Sequence, residues 1–581
     1  MAGSKVMEFE RALDSLVAPG DHIHLAYSQA RPICAVTGLV RRFAGTDPAF
    51  TLSTGGLVSS QAALVSEGLV SRLIGSFIGD NYPNAAPNAV FQRAIDSGAV
   101  ALDETSLWTV FARLMAGALG VPFLPVRSLA GSDLARQDWV GTAVDPFTGV
   151  ATTVVRALVP DVTIAHGVAA DEDGNVILAP PYGETSWGSL AARKGVIATV
   201  ESIVDRQTIR RYQSLVTIPS HQVQAVCELP FGAHPYGLYS PIPEVSGYTE
   251  DEPFILEQRR TCVDPDAHRD WVRTWIHEVT DHSDYLRRLG TRRLAMLAGG
   301  AATGVWKLSD EALDQSSPAT VEERMVLEAA RLIEDRVRSG RSNLIMTGIG
   351  YAHLAAWLAN RRLAGEGVSA PLMAEIGAYG YQPAAGDPFI FSQRNLPTCT
   401  WMTDVAAILG SMVHAGTSRT IAALGAGAID AGGNMNSSRG PDGGYLVGSG
   451  GANDIATMAD DVLVVVKHGR SRLVPKVGFV TCPGDRVSTI VTTKAVLQRD
   501  ADSQEFVLTA VAADDACLDE AVRDAVDSCG WPLKVAPEVT TFAPVDIDQL
   551  TTLRSFDPRH AFLPDARARA KKVKEYTDEH R

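Results

Sequence analysis

The chain has 581 residues, 46% of them hydrophobic and 20% charged, an ordinary globular composition long enough for two or more domains with full cores. Its formal net charge of -15 argues against a nucleic-acid partner and leaves any anionic substrate to be met by local basic or backbone groups. No run of about 18 apolar residues suggests a membrane span, and the amphipathic start MAGSKVMEFERALDSL lacks the unbroken apolar core of a signal peptide, so a soluble cytoplasmic protein is expected.

In chain order, short β-rich apolar runs alternate with helical patterns twice over, which predicts an α/β fold with largely parallel sheets. In the first half DHIHLAY, AFTLSTGG, VTIAHGVAA and GVIATVESI read as strands, and ICAVTGLVRRFA and WTVFARLMAGAL as helices. A charge-rich helical stretch follows over about 245–300, then a polar join over 306–320. The second half repeats the plan: NLIMTGIGYAHLAAWLANRRLA is a strand, a glycine turn and a helix, and APLMAEIG, TIAALGAGAID and VLVVVKHG are strands. The expected division is therefore 1–305, a linker at 306–320, and 321–581. The basic tail reads as a solvated helix or frayed end. Seven cysteines (34, 227, 262, 399, 482, 517 and 529) are odd in number and never closely paired, which fits free thiols and no metal site.

Two features stand out from the residues alone. VAADEDGNVIL and GAIDAGGNMNSS share Asp-x-x-Gly-Asn, at Asp171 and Asp430, each after an apolar strand, as turns at matching points of duplicated halves would. Glu375 ends an apolar stretch and is followed by Gly377 and Gly380. Such a setting desolvates the acid and lets backbone or ligand approach closely.

DPFTGVATTVVRALVPDVTIAHGVAADEDGNV, VIATVESIVDR and IPSHQVQAVCELPFGAHP resemble the first subunit of the family I coenzyme A transferases, on the glutaconate CoA-transferase branch. AIDAGGNMNSS, LVGSGGANDIATMADDVLVVV and FVTCPGD resemble the second, so the chain looks like both subunits fused in order. The resemblance implies two open α/β domains with the active site between them. It also implies a catalytic glutamate in a Glu-x-Gly-x-x-Gly setting, which Glu375, Gly377 and Gly380 match. A carboxylate of ordinary pKa, about 4.3, is ionised at neutral pH and attacks a thioester without a general base.

The implied route passes through a mixed anhydride to a glutamyl-CoA thioester on Glu375. A carboxylic acid then takes the CoA in ping-pong fashion, with no permanently bound cofactor and no metal. Backbone donors at Gly450, Gly451 and Ala452, and the amides of Asn434 and Asn436, are the candidates for meeting the oxyanion, while Gly377, Gly380 and Gly448 give the pantetheine arm room. Arg439, Arg470 and Arg472 are candidates for the nucleotide phosphates. HLAYSQARP replaces the glycines that the glutaconate enzymes carry before Arg-Pro, so the acyl substrate does not carry over. Ser28, Gln29, Arg31, Gly55 and Gly56 are the candidate acyl pocket. The expected partners are an acyl-CoA and a small carboxylic acid, with a homodimer or homotetramer as the assembly. The alternatives are an acyl-CoA or ring-opening hydrolase of the same fold, whose key acid lies in the first half, and a non-catalytic acyl-CoA sensor.

Overall fold

The computed structural model describes residues 3–303, 317–513 and 517–565. Most of the expected join at 306–320, and the basic tail, lie outside the described residues. Two large sheets are built from separate stretches of the chain, one within residues 22–228 and the other within 344–541.

In the first sheet seven strands run parallel, in the order Val223–Glu228, Val196–Ile203, Val162–Ala170, His22–Leu25, Phe50–Leu57, Val70–Ile78 and Ala101–Glu104. All nine residues of Val162–Ala170 are buried, as expected for a strand covered on both faces. The strands Val176–Leu178 and Val216–Ile218 add an antiparallel corner beside it.

The second sheet has a parallel centre, ordered Leu372–Ala374, Leu344–Thr347, Thr420–Leu424, Asp461–Val466 and Val487–Thr492. Antiparallel pairs extend both sides. Helix Val321–Arg338 begins at a capping box in which Thr320 accepts the N–H of Glu323 at 3.2 Å and Glu323 accepts that of Thr320 at 2.7 Å. Helix Tyr351–Gly365 buries Trp357 completely, its indole N–H donating to the Tyr381 hydroxyl at 3.1 Å.

Two predicted strands are cut short. TIAALGAGAID is split into Thr420–Leu424 and Ala428–Asp430, which belong to different sheets, because Gly425 to Gly427 bend away at the end of the first. APLMAEIG stops pairing at Ala374, so Glu375 opens a turn instead of ending a strand. The charge-rich stretch is helical, with Glu252–Thr261, Pro265–Val272, His282–Leu289 and Thr291–Thr303. All seven cysteines are unpaired. No helix among the described residues is long and apolar enough to cross a membrane.

The halves are stitched together at Val447–Asp454. Ile78 N–H donates to Val447 O at 2.9 Å, Gly450 N–H to Ser76 O at 2.8 Å, and Leu107 N–H to Gly450 O at 2.9 Å. Asp454 completes the seam: its carboxylate accepts the Ser106 hydroxyl at 2.6 Å and the Trp108 N–H at 2.9 Å, capping helix Leu107–Leu119 from the other half. Leu107, Trp108 and Phe111 share one apolar core with Val405, Ile408 and Ile455.

The repeated Asp-x-x-Gly-Asn motif forms the same turn twice. Asp171 accepts the Asn175 N–H at 2.9 Å and its side-chain amide at 2.8 Å, and Gly174 takes a φ of +95°. Asp430 accepts the Asn434 N–H at 2.9 Å and its amide at 3.2 Å, and Gly433 takes a φ of +85°. Equal geometry predicts equal consequence. Asn175→Ala and Asn434→Ala should each lower stability by about 1 kcal/mol, read as matching shifts in the midpoint of urea unfolding.

Candidate active site

Four neighbouring parallel strands of the second sheet end at one crevice. Glu375 follows Leu372–Ala374, Gly348 follows Leu344–Thr347, Gly425 follows Thr420–Leu424 and Lys467 follows Asp461–Val466. Open α/β sheets bind ligands outside the carboxyl ends of their strands, and here those ends line a cavity of about 650 Å3. The first half closes one side with Phe77 and residues 84–87, and Ala561 and Phe562 come from the end of the described chain.

Glu375 is half-buried on the cavity wall. Burial pushes its carboxyl up to about 7, the nearby Asp454 charge adds to the rise, and the Gly451 N–H opposes it by donating to the carboxylate. Asp454 is fully buried and is itself pushed up to about 6 by desolvation, against the hydrogen bonds from Ser106 and Trp108. A Cβ at Gly451 would overlap Glu375 Oε2, so the absent side chain lets loop and carboxylate meet.

The expected donors separate into two groups. Gly451 faces Glu375, whereas Gly450 has given its N–H to Ser76 O and Ala452 donates to Ser449 O at 3.0 Å. These two amides are spent on the seam and the loop turn, which corrects the three-donor expectation. The amides of Asn434 and Asn436 are likewise spent. Asn434 holds the Asp430 turn and accepts the Gly484 N–H at 3.0 Å. Asn436 donates to Arg439 O at 2.8 Å and accepts the N–H groups of Ser438 and Arg439, both at 3.1 Å. Neither Asn lines the cavity; Ser437 does.

The glycines differ as well. Gly448 lines the cavity at a φ of +86°, and a Cβ there would lie 2.6 Å from Ser76 O. Gly377, at +121°, and Gly380, at +68°, instead turn their missing side chains toward Thr403 O and Thr400 Oγ1. They admit the strand Trp401–Met402 alongside, so their role is to let the chain turn after Glu375 rather than to admit a ligand.

Ser28, Gln29 and Arg31 line a smaller space with Tyr27, Tyr236 and Phe391, and Phe391 also borders the main cavity. Gly55 and Gly56 do not line it. They form the floor on which the Tyr27 ring lies, and Gly55 N–H donates to Glu184 at 3.1 Å. Of the three arginines, only Arg472 reaches the main cavity. Arg439 pairs with Glu104 at 3.2 Å, and Arg470 donates to Asp527 O at 2.8 Å. Motif reasoning misses Lys467 and Asp454. Lys467 is findable as the first charged residue after an apolar parallel strand; Asp454, inside a glycine-rich string, is not.

Residues 6–229 match the family model described as coenzyme A transferase. One of the two chains of the glutaconate CoA-transferase of Acidaminococcus fermentans is 28% identical over 323 residues, 51% of this chain and 94% of that protein. The two chains of the 3-oxoadipate CoA-transferase of Pseudomonas knackmussii are each 27% identical, over 49% and 42% of this chain and 98% and 96% of their own lengths. Each of these relatives is spanned almost whole by about half of this chain, as in a fused two-subunit form. Among solved structures, the apoenzyme of the acyl-CoA transferase YdiF from Escherichia coli O157:H7 superposes with a TM-score of 0.66, covering 94% of this chain and 96% of that one. At 14% identity that likeness shows the fold.

Titration tests the electrostatics. The Glu375 carboxyl, followed by infrared difference spectroscopy of wild type against Glu375→Gln, should titrate near pH 7, and Asp454→Asn should move the midpoint down by removing the neighbouring negative charge. Because the folded state holds this proton more tightly than an ordinary carboxyl of 4.5 does, the group's contribution to stability is full below about 4.5 and is lost as pH rises to about 7. Glu375→Gln should remove that slope, read from urea unfolding at pH 5 and pH 8.

Proposed function

The chain belongs to the coenzyme A transferase family, and on that premise we propose that it moves CoA from an acyl-CoA to a carboxylic acid through a thioester on Glu375. One observation carries the assignment: a single acid at the carboxyl ends of the strands faces a cavity walled by both halves, with the Gly451 N–H donating to it.

Glu375 adds to the thioester carbonyl, forming a C–O bond as the C–S bond breaks, and leaves a mixed anhydride and CoA thiolate. The thiolate attacks the glutamyl carbon, the anhydride C–O bond breaks, and the donor leaves as its free carboxylate. An acceptor carboxylate then runs both steps in reverse, so one activated acyl group is exchanged for another without ATP. When Glu375 becomes acylated its charge is lost, and the Gly451 N–H is placed to meet the oxyanion that forms at the same carboxyl. Lys467 and Arg472 supply positive charge on the cavity wall for the phosphates of CoA, whose remote binding energy serves the reacting end. Both walls come from one chain, so a homodimer or homotetramer would not be needed to complete the site.

Transfer is favoured over hydrolysis by the state of Glu104, a buried acid of the first half beside Gly448. It accepts the Ser438 hydroxyl, pairs with Arg439, and does not line the cavity. The test is direct. Incubation with acyl-CoA alone should leave Glu375 trappable by hydroxylamine or borohydride, as a mass change on its peptide, and Glu375→Gln should abolish both the trap and acceptor-dependent exchange. CoA release independent of any carboxylate would instead establish a hydrolase, and no turnover at all with intact acyl-CoA binding a sensor. Lys467→Ala should raise the KM for the CoA ester about 10-fold with little change in kcat, in steady-state exchange assays.

A further inference from the structure

The smaller space beside the main cavity measures about 20 Å3, room for about one water-sized group. Arg31 lines it and is only 5% exposed. Its guanidinium lies between two aromatic rings, 4.6 Å from the centre of Tyr27 and 4.4 Å from that of Tyr236. Nη2 donates to the Tyr27 hydroxyl at 3.2 Å, while Nη1 is buried with no hydrogen-bond partner. A guanidinium stays charged in a protein, and burying one without an anion is costly. Among the described residues Arg31 makes no ion pair within 4.0 Å. Its two rings and the more distant Glu184 charge soften the cost, but leave one N–H group unmet.

The other polar groups here are already engaged. Ser28 donates its hydroxyl to Ala30 O at 3.0 Å, and Gln29 its amide to Phe391 O at 3.2 Å. Glu250 also lines the space; it accepts the Gln393 N–H at 3.0 Å, and burial pushes its carboxyl up to about 7, which lessens its repulsion of an incoming anion. The space abuts the nucleophile's cavity. Phe391 borders both, Ile376 on its wall directly follows Glu375, and Tyr27 lies within reach of the Glu375 charge.

We propose that Arg31 anchors an anionic group at the far end of the acyl chain, so that it sets a preference for acids and acyl-CoA esters bearing a second carboxylate. The proposal rests on the transferase reading of Glu375. A carboxylate entering the small space would take the free Nη1–H, displace one water, and be held in a geometry that a lysine does not reproduce.

The experiment compares CoA exchange onto chain-matched pairs, glutarate against butyrate and succinate against propionate, in wild type, Arg31→Met and Arg31→Lys. Wild type should favour the dicarboxylates in kcat/KM, and the dicarboxylate-to-monocarboxylate ratio should fall about 100-fold in Arg31→Met, the scale of one buried charged hydrogen bond. Arg31→Lys, which keeps the charge, should lower the ratio too, and it stands in if Arg31→Met does not fold by circular dichroism. Calorimetry of glutarate and butyrate binding reads the same anchor without turnover. An unchanged ratio, or wild type preferring the monocarboxylates, overturns the proposal while a trapped Glu375 thioester leaves the transferase reading standing. Loss of glutarate binding in Arg31→Met with no trapped thioester upholds the anchor and overturns the transferase reading.

Discussion

Everything at this site depends on how the glycine loop at Val447–Asp454 is held. It is a segment of the second half whose backbone is fixed by the first, through Ser76, Ile78 and Leu107, and whose acid caps a first-half helix. With its ends pinned, the loop presents one amide, that of Gly451, to Glu375. A chain able to adopt that path needs glycine for a reason beyond dihedral freedom: any side chain at Gly451 would occupy the place of the carboxylate. Seam and site are thus one structure, and a disturbance of the helix cap at Asp454 would reach Glu375 both through the loop and through charge.

Asp454 carries two opposing consequences. As a cap it favours the ionised form, since it receives an N–H and a hydroxyl at a helix start. As a buried neighbour it makes ionising Glu375 harder, and desolvation of both acids does the rest. A nucleophilic carboxylate shifted to about 7 is a stronger base than one of ordinary pKa while still largely available near neutral pH. The same shift means that the folded state is less stable with Glu375 charged, a cost that the surrounding seam must offset.

Much of this is legible in the sequence because periodicity and turn chemistry are local. Runs such as VTIAHGVAA and VLVVVKHG form buried parallel strands, and the Asp-x-x-Gly-Asn echo forms a pair of matching turns. Glu375 lies at the cavity, as do Gly448 and Gly451. What the string does not convey is where each amide points. Gly450 and Ala452 flank Gly451 in sequence yet spend their N–H groups elsewhere, and Asn434 and Asn436 serve their own turns. Those outcomes are set by long-range partners, Ser76 among them, that no local pattern announces. Gly377 and Gly380 stand out in the sequence for a valid reason, close approach, but the object approaching is a neighbouring strand.

The arrangement also bears on why the two halves are joined in one chain. The cavity has walls from both, and the loop that serves Glu375 takes its conformation from contacts to Ser76, Ser106 and Leu107. In separate chains each of those contacts would form only after a bimolecular encounter that carries its own entropic cost. A covalent link makes the second half's loop a local ligand of the first, at an effective concentration set by the link rather than by the amount of protein present. The catalytic geometry of such a chain is therefore independent of dilution, whereas a two-chain enzyme loses its Gly451 amide and its Asp454 cap together when its chains part.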